Sequence, residues 1–365
     1  ILELKLERDR LFAILESAGE GILLTDTESN IMYANPAMER QSGYSREELR
    51  SKNTRILGSP QMPKTVYTEM WQSLQAQKSW MGELINEHKD GHTYDVAVTI
   101  TPIVADKGEV TGFVSVHSDI SRLKELERLK TQFIANVWHQ LRTPLTNIKT
   151  YVSLLKKGKP ENFPRYFSVL HDEIDRLARL IQDLLDISRL DAENVPNPEA
   201  AVDLCDFWEM FWPHFEERAE RENRTLQLAF PDEVAMQAPI LFIESYQLEK
   251  IFSRLMDNSL SYTSEGGLIQ VLALGQDSLT GMFKIQVCDD GPGIPEAERP
   301  FIFDRFFRGA QAIESGLSGN GLGLAIVREL LTLYGGEISL ESEPDQGVCF
   351  TVHLPLVQPD TEQST

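Results

Sequence analysis

His139-Gln140-Leu141-Arg142-Thr143-Pro144-Leu145 lies in the middle of a long apolar stripe. Leu123, Leu126, Leu129, Phe133, Val137, Leu141, Leu145, Ile148, Val152 and Leu155 recur at spacings of three or four, the repeat of one helix face. Lys157-Gly158-Lys159-Pro160 ends that helix, because glycine frees the backbone and proline cannot continue the ladder. A second stripe follows in Tyr166, Leu170, Ile174, Leu177, Ile181, Leu184 and Ile187. Two amphipathic helices with a short loop form an antiparallel hairpin. One hairpin cannot bury both stripes, so residues 121–191 are expected to form a four-helix bundle from two chains, a homodimer.

Upstream, residues 10–120 have a different texture. Gly21 to Asp26 and Ile31 to Ala34 flank a polar turn and read as a hairpin. Glu83 to Glu87 precede a Lys89-Asp90-Gly91 turn, and Thr93 to Pro102 and Val110 to Ser118 read as strands. Tyr94, Val96, Val98 and Ile100 alternate with Asp95, Ala97 and Thr99, the pattern of a half-buried antiparallel strand. His88 and His92 flank the turn and read as solvated rather than as haem ligands. The absence of cysteine here argues against a flavin-cysteinyl photosensor.

Downstream, residues 202–357 alternate helices and strands and close on the strand Gly347 to Leu354. Four short segments stand out in order. Leu248 to Asn258 is an amphipathic helix with Asn258 on its polar side. Val287-Cys288-Asp289-Asp290-Gly291-Pro292-Gly293-Ile294 is a strand ending in a carboxylate and a glycine turn. Ile302-Phe303-Asp304-Arg305-Phe306-Phe307-Arg308 follows. Gly319-Asn320-Gly321-Leu322-Gly323-Leu324 feeds a helix. Asp289 can accept from an exocyclic amine, Gly291 and Gly293 allow close backbone approach to a flat ring, and a helix N-terminus suits phosphate. No Gly-Lys-Ser/Thr occurs, which excludes a Walker A loop.

These segments together resemble the N box, first glycine box, F box and second glycine box of the GHKL ATPases, which include histidine kinases. The heptapeptide resembles the phosphoacceptor box of sensor histidine kinases, usually His-Glu/Asp-Leu-Arg-Thr-Pro-Leu. Residues 10–120 resemble a PAS domain through Asn35-Pro36-Ala37, Gly43 to Leu49 and the exit Asp119-Ile120-Ser121. The implied architecture is multidomain α+β: an incoming helix (1–9), a PAS α/β sensor (10–120), the signalling helix and phosphotransfer hairpin (121–191), a linker (192–201), an α/β-sandwich ATP-binding domain (202–357) and a disordered tail (358–365).

The resemblance implies ATP and Mg2+. Asn258 would hold the metal, Asp289 read adenine, Tyr262 stack on the base, and Gly319, Gly321 and Gly323 with Leu324 form a lid over the phosphates. A His139 ring nitrogen would attack the γ-phosphorus, and the group would pass to an aspartate of a response-regulator receiver domain under PAS control. Four positions depart from the family: Gln140 for an acid, Trp138 for a small residue, Arg254 for an asparagine and Ser261 for a lysine. The missing lysine leaves Arg305 and Arg308 as the nearest phosphate ligands, with Arg254 a further candidate. Gln140 can accept a hydrogen bond but cannot act as a base, so autophosphorylation is expected to be slow. Thr143, one turn after His139, can orient water for dephosphorylating the partner. A phosphatase-biased enzyme and a non-enzymatic ATP-switched dimer are therefore rival expectations.

Composition sets the limits. The chain has 365 residues, 41% hydrophobic and 25% charged, with a formal net charge of -21. Such a surface repels nucleic acid. Cys205, Cys288 and Cys349 are far apart and in no metal-ligand spacing, which reads as reduced thiols in a cytoplasmic setting. No apolar run reaches the ~18 residues of a membrane span. The opening Ile1, in mid-pattern, is expected to follow a missing upstream region that could include a membrane anchor.

Overall fold

A computed structural model describes residues 2–106, 108–190, 200–231, 236, 239–314 and 319–357. The expected tail and most of the expected linker lie outside them. Two compact units divide at Ile134/Ala135.

The first unit opens with helix α1 (Leu2–Ser17), which runs past the expected boundary at residue 9. Five antiparallel strands follow: β1 (Gly21–Thr25), β2 (Ile31–Ala34), β3 (Trp80–Glu87), β4 (Thr93–Val104) and β5 (Val110–Asp119), in the order β2-β1-β5-β4-β3. Helices α2 (Pro36–Ser42), α3 (Arg46–Leu49) and α4 (Lys64–Gln75) sit between β2 and β3 in sequence. Alternation along β4 puts Tyr94, Val96 and Val98 in a core with Met70, Leu74 and Phe113. A second cluster joins Leu23, Ile31, Met38 and Leu49.

Asn35 shows why the Asn-Pro-Ala turn has that sequence. Its Oδ1 accepts from Ile22 N–H (2.8 Å) and Met38 N–H (3.0 Å), and its Nδ2 donates to the carbonyls of Leu15 and Glu20. One fully buried amide thus caps α2 and ties it to β1 and α1. At the exit, Asp119 Oδ1 accepts from Ser121 N–H (2.9 Å), and Ser121 Oγ accepts from Asp95 N–H (3.0 Å). These bonds fix the start of α5 (Ser121–Lys157).

His117, on β5, is buried with its Nε2 2.9 Å from Ser115 Oγ. Burial pulls its pKa down from 6.5 to about 4. The unfolded chain binds this proton below pH 6.5, and the folded unit does not until about 4. Stability is therefore lost as pH falls through that window, by up to about 3 kcal/mol. Denaturant unfolding of wild type and His117→Gln should show a stability difference that changes by roughly 2 kcal/mol between pH 7.5 and 5. A difference that stays constant with pH would refute this.

The second unit contains the rest of α5, with Pro144 buried inside the helix, then α6 (Phe163–Leu190). α7 (Leu204–Arg221) follows a two-residue strand, β6 (Val202–Asp203), which pairs with β8 (Ile240–Leu241). The main sheet adds β7 (Thr225–Ala229), β9 (Leu268–Gln276), β10 (Met282–Asp289), β11 (Glu337–Ser342) and β12 (Val348–Pro355), ordered β11-β12-β10-β9-β7. Among the described strands, only β7 and β9 pair in parallel. Among the described residues the unit also holds helices α8 (Ser245–Tyr262), the short α9 (Ala310–Glu314) and α10 (Gly323–Leu333). Leu248, Ile251, Phe252, Leu255 and Met256 bury one face of α8, and Phe252 packs against Trp208 of α7.

The thiol expectation needs correction. Cys288 and Cys349 are paired in a disulfide with Cα atoms 4.1 Å apart. They lie 61 residues apart in sequence, but the β10–β12 register sets them opposite each other. Cys205 remains a free, half-buried thiol.

Candidate functional site

The polar face of α8 builds one wall of a cavity. Arg254, Asp257, Asn258 and Ser261 follow the i, i+3, i+4, i+7 pattern of a single helix face, and all four line it. The opposite wall comes from the end of β10 and the turn after it: Asp289, Pro292, Gly293 and Ile294. Gly319, Gly321, Gly323 and Leu324 close a third side, with Tyr262 and Arg308. The volume is about 450 Å³, within the ~300–1,000 Å³ of small-molecule sites.

Asp289 is the anchored acceptor. Ser259 Oγ donates to its Oδ2 (3.0 Å), and Gly291 N–H donates to its Oδ1 (3.1 Å). Burial raises its pKa, opposed by these two hydrogen bonds. The bonds use two of about four lone-pair positions, so the carboxylate can still accept from a ligand. Gly293 and Gly321 have φ of +73° and +70°, and a Cβ on either would collide with backbone, at Glu343 and at Phe306–Phe307. The glycines of both boxes are thus fixed by turn geometry as well as by ligand access.

The donor set suits a polyphosphate. Arg176, Arg179, Arg218, Arg254 and Arg308 line the cavity beside the carboxylates of Asp183, Asp257, Asp289 and Glu298, and Arg218 is paired with Asp257 (2.5 Å). Arg305 does not line it. Its guanidinium pairs with Glu329 (2.9 Å), away from the other expected phosphate ligands. Arg254 is also committed: it forms an ion pair with Asp183 of α6, which is 1% exposed. Asp183 also accepts from Asn320 Nδ2, and burial pushes its carboxyl up in spite of these partners. Lys250 binds Asp186 (2.7 Å), a second tie between α8 and α6. Asn258, half-buried and facing the cavity, supplies a neutral oxygen that fits a Mg2+ shell completed by phosphate and water.

The heptapeptide divides between two surfaces. Gln140 and Pro144 line the cavity. His139 is exposed and lines a neighbouring shallow groove with Trp138, Leu141, Arg142 and Leu145. Thr143 Oγ1 donates to the His139 carbonyl (3.3 Å), so its hydroxyl is turned to the backbone. The structure therefore gathers Asn258, Tyr262, Asp289, Gly293, Arg308 and the glycine loop, and keeps His139, Thr143 and Arg305 outside. Sequence reasoning missed Ser259, Asp183 and the α6 arginines. Only Ser259 had a local signal, as a polar residue on the buried face of an amphipathic helix.

Three family matches fall in order along the chain. Residues 9–120 match the PAS fold, 129–193 the His Kinase A (phospho-acceptor) domain, and 244–358 the histidine kinase-, DNA gyrase B-, and HSP90-like ATPases. The chain thus carries, in order, a PAS domain, a phospho-acceptor domain and an ATPase domain, the set found in PAS-containing sensor histidine kinases. Among its relatives, sensor protein kinase WalK of Staphylococcus epidermidis is 29% identical over 96% of this chain and 55% of its own length. The alginate biosynthesis sensor protein KinB of Pseudomonas aeruginosa is 29% identical over 95% of this chain and 57% of its own length. The chain thus spans about half the length of these curated relatives. Among solved structures, histidine kinase ThkA in complex with the response regulator protein TrrA aligns over 94% of this chain and 98% of that one, at 21% identity and a TM-score of 0.49. Among the described residues, no helix is long and apolar enough to cross a membrane.

Proposed function

We propose that this chain phosphorylates its own His139 from Mg-ATP and passes the group to an aspartate of a response-regulator receiver domain, under control of the PAS domain. The observation that carries this is the cavity itself. An adenine-sized cleft with a fixed carboxylate, five arginines and a glycine loop is lined on one side by Gln140, the residue after the phosphoacceptor. Asp289 accepts from the exocyclic amine, Tyr262 covers the base, and Arg308 with the loop amides holds the phosphates. Mg2+, held by Asn258, would neutralise phosphate charge as it builds up.

In the transfer, a His139 nitrogen forms the N–P bond, the bond from the γ-phosphorus to the bridging oxygen breaks, and ADP leaves. The other ring nitrogen gives up its proton to water, because the Gln140 amide cannot bind it, and the phosphorylated imidazole ends neutral. His139 lies outside the cavity, so the ATP-binding part must swing on the helical hairpin before transfer. Breaking Arg254–Asp183 and Lys250–Asp186 is part of that motion. The exposed apolar residues Leu123, Leu126, Leu129, Leu145, Ile174 and Ile181 support a homodimer through the hairpin.

The direct test is incubation with γ-labelled ATP. Wild type should gain acid-labile, base-stable label, and His139→Gln should gain none while binding ATP with unchanged affinity. Equal labelling of both chains would overturn the assignment of His139.

A further inference from the structure

We propose that His88, Asp90 and His92 form a binding site for a divalent transition-metal ion of the zinc class. All three lie on the turn between β3 and β4 in the first unit, remote in sequence from every ATP-binding segment. Their ligand atoms lie within 4.8 Å of one another. Asp90 Oδ1 is 2.9 Å from His88 Nδ1 and 2.5 Å from His92 Nδ1, and the two imidazoles stack with centroids 4.4 Å apart. Tetrahedral zinc with bonds near 2.0–2.2 Å keeps neighbouring ligand atoms about 3.3 Å apart. Both distances to Asp90 are shorter than that, and rotation of the exposed Asp90 and His92 side chains would open them to it.

The turn holds its ligands in place. His88 N–H donates to the His92 carbonyl (2.8 Å), which sets the two histidines across from each other, and His92 N–H donates to Asp90 Oδ1 (3.1 Å). Lys89 anchors the turn to the rest of the unit through its N–H on the Ser42 carbonyl (3.0 Å) and its Nζ on Glu48 (2.6 Å). The His88 ring rests on Gly43, where a Cβ would fall 2.4 Å from ring carbon Cε1; that glycine also has a φ of +72°. His88 is thus a seated ligand with 21% of its side chain exposed, whereas His92 (59%) and Asp90 (62%) are open. An ion can enter from solvent and keep water in its remaining positions.

Two imidazoles and one carboxylate select zinc, cobalt, nickel or copper over magnesium or calcium, which prefer all-oxygen shells. The single carboxylate and the acidic chain around it both favour a cation. Bound metal would lock the turn against the C-terminal end of α2 and stiffen the first unit. The site can therefore report metal availability to the sensor domain.

The test is calorimetric titration of the chelator-stripped chain with Zn2+ and separately with Mg2+. We expect one saturable Zn2+ site per chain at micromolar or tighter Kd, and none for Mg2+. His92→Gln and Asp90→Asn should each weaken Zn2+ binding roughly tenfold or more, and the double variant should abolish it. Zn2+ should also raise the melting temperature of wild type but not of the double variant, and Co2+ should develop visible absorption bands only in wild type. His171→Gln, which removes the helical His171–Asp175 pair, should leave binding intact. No saturable binding below ~100 µM, a threshold well above the affinity of ordinary N/O zinc sites, or unchanged binding in the double variant, would mean that the triad is an ion-pair network only and would overturn the proposal.

Discussion

A Gln140→Glu chain is expected to phosphorylate His139 roughly a hundredfold faster than wild type at saturating ATP, the lower end of what a positioned base contributes. Gln140 lines the nucleotide cavity, while His139, one residue earlier and about 100° around the helix, lines the adjoining groove. A carboxylate next to the phosphoacceptor in sequence would, once the ATP-binding part has swung to His139, be available to take up the proton lost by the ring. The amide of Gln140 fills the same volume and can hold the ring, but its oxygen does not bind a proton near neutral pH. Because glutamine and glutamate are nearly isosteric, packing around Pro144 should not change. Arg176 and Arg179, which line the same cavity, would offset the added charge near phosphate. The gain should thus appear in the single-turnover rate, with little change in KM for ATP. It should also create an acidic limb in the pH–rate profile, where the introduced carboxylate takes up its proton. Equal single-turnover rates in the two chains would remove the base from the argument and leave positioning alone.

What could be read from the sequence follows the range of the interactions. Period and punctuation located the helical hairpin, the β3–β4–β5 meander and the end of β10, because each is set by neighbours a few residues apart. The glycine boxes were legible through the positive φ of Gly293 and Gly321, but the backbone each packs against, Glu343 and Phe306–Phe307, was not. Pairings across long separations were not. Cys288 and Cys349 read as isolated thiols until the β10–β12 register placed them face to face. Arg254 read as a spare cation because Asp183 is 71 residues away on another helix. The partner of Arg305 was likewise hidden, because Glu329 comes from α10. His88 and His92 flank an open turn, as their sequence suggests. What the turn does not spell out is the approach of both imidazoles to Asp90, which depends on the cross-strand pairing of β3 and β4.

Replacing Asp289 by asparagine is expected to weaken ATP binding by roughly ten- to a hundredfold, the range of a charge-assisted hydrogen bond of ~1.5–3 kcal/mol. The native carboxylate is oriented by two donors, Ser259 Oγ and Gly291 N–H, and both oxygens act only as acceptors. An asparagine must turn its NH2 toward one of three donors: Ser259, Gly291 or the adenine amine. If it meets the adenine amine, two donors oppose each other. If it meets Ser259, the hydroxyl can reverse and accept, but the neutral amide oxygen is then a weaker acceptor for the ligand. Fold stability should suffer little, since burial raises the Asp289 pKa and the charge is already partly disfavoured. The decisive measurement is a pairwise comparison by calorimetry of ATP and purine riboside triphosphate, which lacks the exocyclic amine. Wild type should prefer ATP by at least tenfold, and Asp289→Asn should bind the two equally. Loss of affinity for both nucleotides with the wild-type preference intact would show that Asp289 shapes the cavity without reading the base, and the adenine assignment would then have to move to another residue.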